Sequence, residues 1–166
     1  MTPQPSILRP LELLRVLVDA EVEFVVIGGF ALAAYGHQRA TKDVDIVPAP
    51  DTRNLAVLFA ALASIDAHPI EAEDFRADEL PVLFTAESLA ERGNWALETS
   101  LGRIDLMQEV AGVESYESLR RRAESRDLPD VGRVWFSSRD DLITMKQAAG
   151  RPEDLIDVER LNKAAG

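Results

Sequence analysis

The chain contains no cysteine and only two histidines, His37 and His68. Without cysteine there is no disulfide framework, no thiolate nucleophile and no cysteine-type zinc site. Two histidines argue against a histidine-rich metal centre. No apolar run reaches the roughly 18 residues of a membrane span. The opening residues, Met1-Thr2-Pro3-Gln4-Pro5-Ser6, lack the basic stretch and apolar core of a signal peptide, so a cytoplasmic location is expected. Basic residues are also in short supply. The 18 Lys and Arg against 29 Asp and Glu leave a net charge of -11. This disfavours an extended nucleic-acid surface, because phosphate contacts need clustered Lys and Arg. One local cluster remains, Arg120-Arg121-Arg122 with Arg126, either a phosphate patch or a solvated helix face.

What the chain does have is apolar material. Of 166 residues, 46% are hydrophobic, enough to build a core and to confine disorder to the ends. The length suits a single domain over residues 1–166, with a helical C-terminal part over about 138–164.

Residues 7–20 read as an amphipathic helix, with Leu11, Leu14 and Val18 near helical spacing and Pro10 in the first turn. Residues 22–27 are β-branched and aromatic and read as a strand. Residues 29–35 follow as a helix stopped by Gly36. Residues 43–47 form the next strand. Asp51 or Thr52 then caps a helix to about Ile65, with Ala56, Leu58, Ala60 and Leu62 expected in the core. Residues 71–80 read as mostly loop, 82–85 as a short strand, and 95–99 with 103–108 as a hairpin. Residues 116–125 read as a helix and 134–136 as a short strand. Ser138 caps a helix to about Ala149, and Pro152 opens a last one. This order predicts an α+β fold: a small mixed β-sheet flanked by helices, with helices at the C-terminus.

The stretch richest in chemistry is Val25-Val26-Ile27-Gly28-Gly29-Phe30-Ala31, followed by Arg39-Ala40-Thr41-Lys42-Asp43-Val44-Asp45-Ile46-Val47. A glycine pair between strand and helix lets a phosphate or another backbone approach closely, or simply makes a tight turn. Asp43 and Asp45 are two residues apart on a strand and so project from the same face. Carboxylates in an apolar strand are a paired or metal-bound set, or else the polar face of an edge strand. As hard oxygen ligands they select Mg2+ or Mn2+ over zinc. Asp105, in Arg103-Ile104-Asp105-Leu106, completes a candidate triad or is a surface partner of Arg103. Arg39 and Thr41 fall on the face of the acidic pair if the strand extends that far. There Arg39 meets nucleotide phosphate or pairs with an aspartate. In the last helices, Lys146 is a candidate phosphate contact, Arg151 and Asp154 flank the break between them, and Asp157 lies one turn further on. The alternative for Asp154 and Asp157 is capping and ion pairing.

Taken together, Gly28-Gly29-Phe30-Ala31, Arg39-x-Thr41-x-Asp43-x-Asp45, Ile104-Asp105-Leu106 and the block from Met145-Lys146 through Arg151, Asp154 and Asp157 resemble the nucleotidyltransferase superfamily with the polymerase-beta-like fold. More closely, they resemble minimal nucleotidyltransferases grouped with AbiEii-type toxins. The resemblance implies Mg2+ (or Mn2+) on Asp43, Asp45 and Asp105, with Asp105 a candidate base. It implies an NTP whose phosphates lie over Gly28 and Gly29, with Arg39, Thr41, Lys146 and Arg151 as further nucleotide-binding residues. The reaction implied is transfer of NMP to a hydroxyl of a small molecule, an RNA end or a protein. An antitoxin or other partner protein is implied for the toxin branch. The best-known catalytic members carry Gly-Ser at the turn, where this chain has Gly29. A catalytically inactive nucleotide- or protein-binding module of the same fold is therefore the alternative function.

Overall fold

The computed structural model describes residues 6–37, 40–70 and 83–163. The elements in chain order are α1 (Pro10–Asp19), β1 (Phe24–Ile27), α2 (Gly28–Ala33), β2 (Asp43–Pro48), α3 (Thr52–Ala63), β3 (His68–Pro69), α4 (Ala86–Ala90), β4 (Trp95–Thr99), β5 (Gly102–Leu106), α5 (Tyr116–Arg122), β6 (Glu124–Leu128), β7 (Gly132–Phe136), α6 (Arg139–Ala149) and α7 (Pro152–Lys163). The strands form one sheet in the order β3-β4-β5-β2-β1-β7-β6. β2/β5 and β1/β7 pair parallel and the remaining neighbours antiparallel. The expected mixed sheet with C-terminal helices is the fold observed.

Register divides the central strands into two faces. Val44, Ile46, Leu97, Ile104 and Leu106 are fully buried on one face. Replacing such a side chain by alanine costs about 2–5 kcal/mol, so this face is committed to stability. The residues between them face the other way. Across four strands, Ile27, Asp45, Asp105 and Ala96 lie in one row, and Asp43, Arg103, Glu98 and His68 lie in the next, its β1 place unfilled.

Helix ends follow local chemistry. Pro10 and Pro152 open α1 and α7. Asp51 accepts from the Asn54 N–H to cap α3, and Ser138 accepts from Asp141 N–H to cap α6. Among the described residues no helix is long and apolar enough to cross a membrane.

Several expectations are corrected. Leu83–Thr85 are not a strand. Thr85 and Ser88 instead form a reciprocal cap that starts α4. The helix read over 116–125 stops at Arg122, and β6 follows, paired to β7. The turn between them sets the pairing: Asp130 at φ 63° and Gly132 at φ 112° reverse the chain. In α3, Ala56 and Ala60 are exposed. The buried stripe is Asn54, Leu55, Leu58, Ala61 and Leu62, which has the 3–4 spacing of one helix face, whereas 56, 58, 60 and 62 do not. In α1 the buried residues are Leu13, Leu14 and Leu17, while Leu11 is 45% exposed. Residues 71–80, read as loop, lie outside the described residues.

Candidate active site

β2 and β5 bring the acidic residues together. Their parallel register sets Asp45 beside Asp105 and Asp43 beside Arg103. One oxygen from each of Asp43, Asp45 and Asp105 lies within 4.8 Å of the others. Three carboxylates this close repel unless cations or protons intervene. Arg103 supplies part of that compensation. Its Nε donates to Asp105 Oδ1 at 2.9 Å and a terminal nitrogen donates to Asp105 Oδ2 at 3.2 Å. The same Nε stands 3.6 Å from Asp43 Oδ2.

One arginine against three carboxylates leaves a deficit of positive charge. Its mark falls on Asp45, whose carboxyl is pushed up to about 7. Burial is the largest cause, followed by the charges of Asp43 and Asp105 and a hydrogen bond with Asp105, with Arg103 opposing. Asp43 is also raised, first by burial and then by Asp105, against Arg103 and Arg151. A divalent cation would remove this repulsion. The donor set, all carboxylate oxygen, fits Mg2+ or Mn2+ by hardness.

The glycine turn abuts the same point. Gly28 has φ 71°, a left-handed conformation that favours glycine, and a Cβ there would collide with Asp45 Oδ2. At Gly29 a Cβ would stand 2.8 Å from the Thr41 methyl carbon. Thr41 thus fills the space that a serine at residue 29 would need. An open hollow of about 510 Å3 lies beside the turn, lined by Leu8, Pro10, Gly29, Phe30, Ala33, Ala40 and Thr41. A second cavity, of about 590 Å3, is lined by Val47, Pro48, Tyr116 and Glu117 among others and includes none of the three aspartates.

Of the candidate residues, Gly28, Gly29, Thr41, Asp43, Asp45 and Asp105 therefore belong to one place. Arg39 lies outside the described residues. Lys146 is buried, and its Nζ donates to Asp157 Oδ2 at 2.9 Å. Arg151 is exposed, and its Nε donates to Asp154 Oδ2 at 2.7 Å. The basic cluster is largely engaged by neighbours. Arg120 lies over the Trp135 ring at 3.3 Å, Arg122 donates to Asp141 and Arg126 donates to Glu124. Arg103, expected only as an ion-pair partner of Asp105, belongs to the same place. Its signal was period-2 spacing from Asp105, which puts both on one strand face.

No family model and no curated protein matches the chain. Solved structures do. The lincomycin-bound lincosamide antibiotic adenylyltransferase LnuA superposes with a TM-score of 0.62 at 14% identity, over 96% of this chain and 99% of that one. ANT(2'')-Ia in complex with adenylyl-2''-tobramycin superposes with a TM-score of 0.56 at 12% identity, over 93% of this chain and 86% of that one. At these identities the likeness is one of architecture: this chain has the fold of the antibiotic nucleotidyltransferases.

Proposed function

We propose that this chain is a metal-dependent nucleotidyltransferase acting as one domain, which moves NMP from an NTP to a hydroxyl acceptor. The observation that carries this reading is the convergence of Asp43, Asp45 and Asp105 on adjacent strands of this fold, beside a side-chain-free turn.

Asp43, Asp45 and Asp105 would hold Mg2+ or Mn2+, which supplies charge to stabilise phosphoryl oxygens. Gly28 and Gly29 would admit the triphosphate close to those carboxylates, with Thr41 and Arg151 at its edge. The acceptor oxygen bonds to the α-phosphorus and the bond to pyrophosphate breaks. The acceptor proton passes to a site carboxylate, for which Asp105 is the candidate base. Arg103 holds Asp105 in place through two hydrogen bonds.

The acceptor we favour is a small cationic polyol, because a chain with net charge -11 attracts cations and repels nucleic acid. Incubation with each α-labelled NTP, Mg2+ or Mn2+, and either tobramycin or lincomycin tests this. The proposal predicts labelled acceptor and released pyrophosphate. Labelling of a cellular protein or RNA, with growth arrest on expression relieved by a neighbouring gene product, would instead favour the AbiEii-type toxin branch. Nucleotide binding with no transfer to any acceptor would favour the inactive module.

A further inference from the structure

β2 and β5 run parallel, and the cavity of about 590 Å3 opens at their carboxyl ends. Its size is that of a small-molecule site, and ligands gather where parallel strands end. It lies outside the three-carboxylate site but close to it. Val47, in its wall, is two residues beyond Asp45 on β2, so the two share a face with Cα atoms about 7 Å apart. The Met107 N–H donates to Ile46 O at 2.8 Å, which leads the chain from Asp105 alongside β2 to Gln108 and Glu109 in the same wall.

Most of that wall is built from residues 108–117, and its shape is fixed at several points. Asn94 Oδ1 accepts from the N–H groups of Gln108 and Glu109 at 2.9 Å each, and Asn94 Nδ2 donates to Glu109 O at 2.9 Å. Gln108 Nε2 donates to Leu89 O at 3.0 Å and to Gly93 O at 3.1 Å. Gly112, left-handed at φ 86°, lies against α6, where a Cβ would stand 3.2 Å from the Thr144 carbonyl oxygen. None of these anchors uses a carboxylate of the wall. Glu109, Glu114 and Glu117 line the cavity from exposed positions, and none of the three forms an ion pair among the described residues. Arg92 is the one basic residue in the described lining. Tyr116 adds a half-buried ring that a cation can also approach. Three carboxylates against one guanidinium, on a pre-formed wall, select a cationic ligand.

We infer that this cavity is the acceptor subsite. It takes a small amine-bearing polyol, whose ammonium groups meet Glu109, Glu114 and Glu117 and whose hydroxyl reaches past Val47 to Asp45. The inference rests on the nucleotidyltransferase reading for the use made of that hydroxyl. Its oxygen bonds to the α-phosphorus of the NTP, its proton passes to Asp105, and the bond to pyrophosphate breaks. A substituted sugar ring bridges the gap between cavity and carboxylates.

The test uses the full chain and tobramycin, titrated calorimetrically. The variants are Glu109→Gln, Glu114→Gln, Glu117→Gln and their triple. A control triple, Glu12→Gln/Asp19→Asn/Glu159→Gln, removes as many charges elsewhere. All six positions are exposed, and melting checks that each variant folds. Each single change in the cavity should weaken tobramycin binding about two- to fivefold and the triple about tenfold or more, with Mg2+-NTP affinity unchanged. The control triple should stay within about twofold of the parent. An equal loss in the control would mean long-range attraction by net charge and would overturn the inference. Parent-like binding in the cavity triple would overturn it too.

A second measurement reads distance. Mn2+ bound at the aspartates should broaden the NMR signals of bound tobramycin, because its hydroxyl comes within about 10 Å of them. Tobramycin bound without broadening, in a protein that holds Mn2+, contradicts the subsite. If the parent binds Mg2+-NTP but no tobramycin, this inference falls and the transferase reading stands. If no NTP binds, the transferase reading falls, while the cavity triple still decides the amine site.

Discussion

A Cβ placed on Gly28 would fall on a carboxylate oxygen of Asp45. The turn that ends β1 therefore does more than reverse the chain. It lowers bare backbone onto the central carboxylate of the site, and the positive φ at Gly28 makes the approach possible without strain.

Gly28→Ala should therefore hurt both folding and binding. The added methyl meets Asp45 and takes up an unfavourable φ together, a cost of about 1–3 kcal/mol. Urea unfolding measures the stability loss, and Mn2+ titration of the folded fraction should show weakened metal binding. Parent-like values in both would remove the link between turn and site.

The raised Asp45 carboxyl gives a pH dependence with a definite sign. Its folded value of about 7 lies above the ordinary 3.8, so the native state holds the proton more tightly than the unfolded chain. Stability of the metal-free protein is then lost as pH rises from about 4 through 7. Asp45→Asn should be more stable than the parent at pH 8, by about 1–2 kcal/mol, and equal to it near pH 4. Thermal melts across this range check the crossover. A variant less stable at pH 8 would contradict it.

The same proton competes with a metal. Mn2+ affinity should fall up to about tenfold per unit of pH below 7 and level off above it. Electron paramagnetic resonance titrations from pH 5.5 to 8 report free Mn2+ directly. A flat profile below pH 7 would mean that Asp45 is not a ligand.

Gly29 and Thr41 form a matched pair, since a side chain at one needs the space of the other's methyl. Gly29→Ser alone should destabilise the fold by about 1 kcal/mol or more through overpacking. Combining it with Thr41→Ser, which lacks that methyl, should recover most of the loss. A double-mutant cycle in urea measures the coupling, and strict additivity would refute the pairing.

Much of this arrangement was legible in the chain. The strand–glycine–helix turn, the Asp-x-Asp strand, the hairpin carrying Asp105, and the caps at Asp51, Ser138 and Pro152 follow from local chemistry and period-2 or 3.6 spacing. What was not legible depends on pairing between distant segments. Glu124–Leu128 lacks β-branched residues and continues a helical pattern, and it becomes strand because the turn through Asp130 and Gly132 folds it onto β7. Arg103 joins the site because β5 pairs parallel to β2 in one register. A lysine on an apolar helix reads equally as reaching into a cleft or as buried. Only the packing of α7, which supplies Asp154 and Asp157, puts Lys146 inside.

The measurement that tests the central claim most directly is calorimetric titration of the four NTPs, with and without Mg2+, into the parent and into Asp43→Asn/Asp45→Asn. The account predicts that at least one NTP binds the parent only when Mg2+ is present, and that the double variant, still folded, loses that binding. Nucleotide binding of equal strength in the double variant would contradict a metal site on these aspartates.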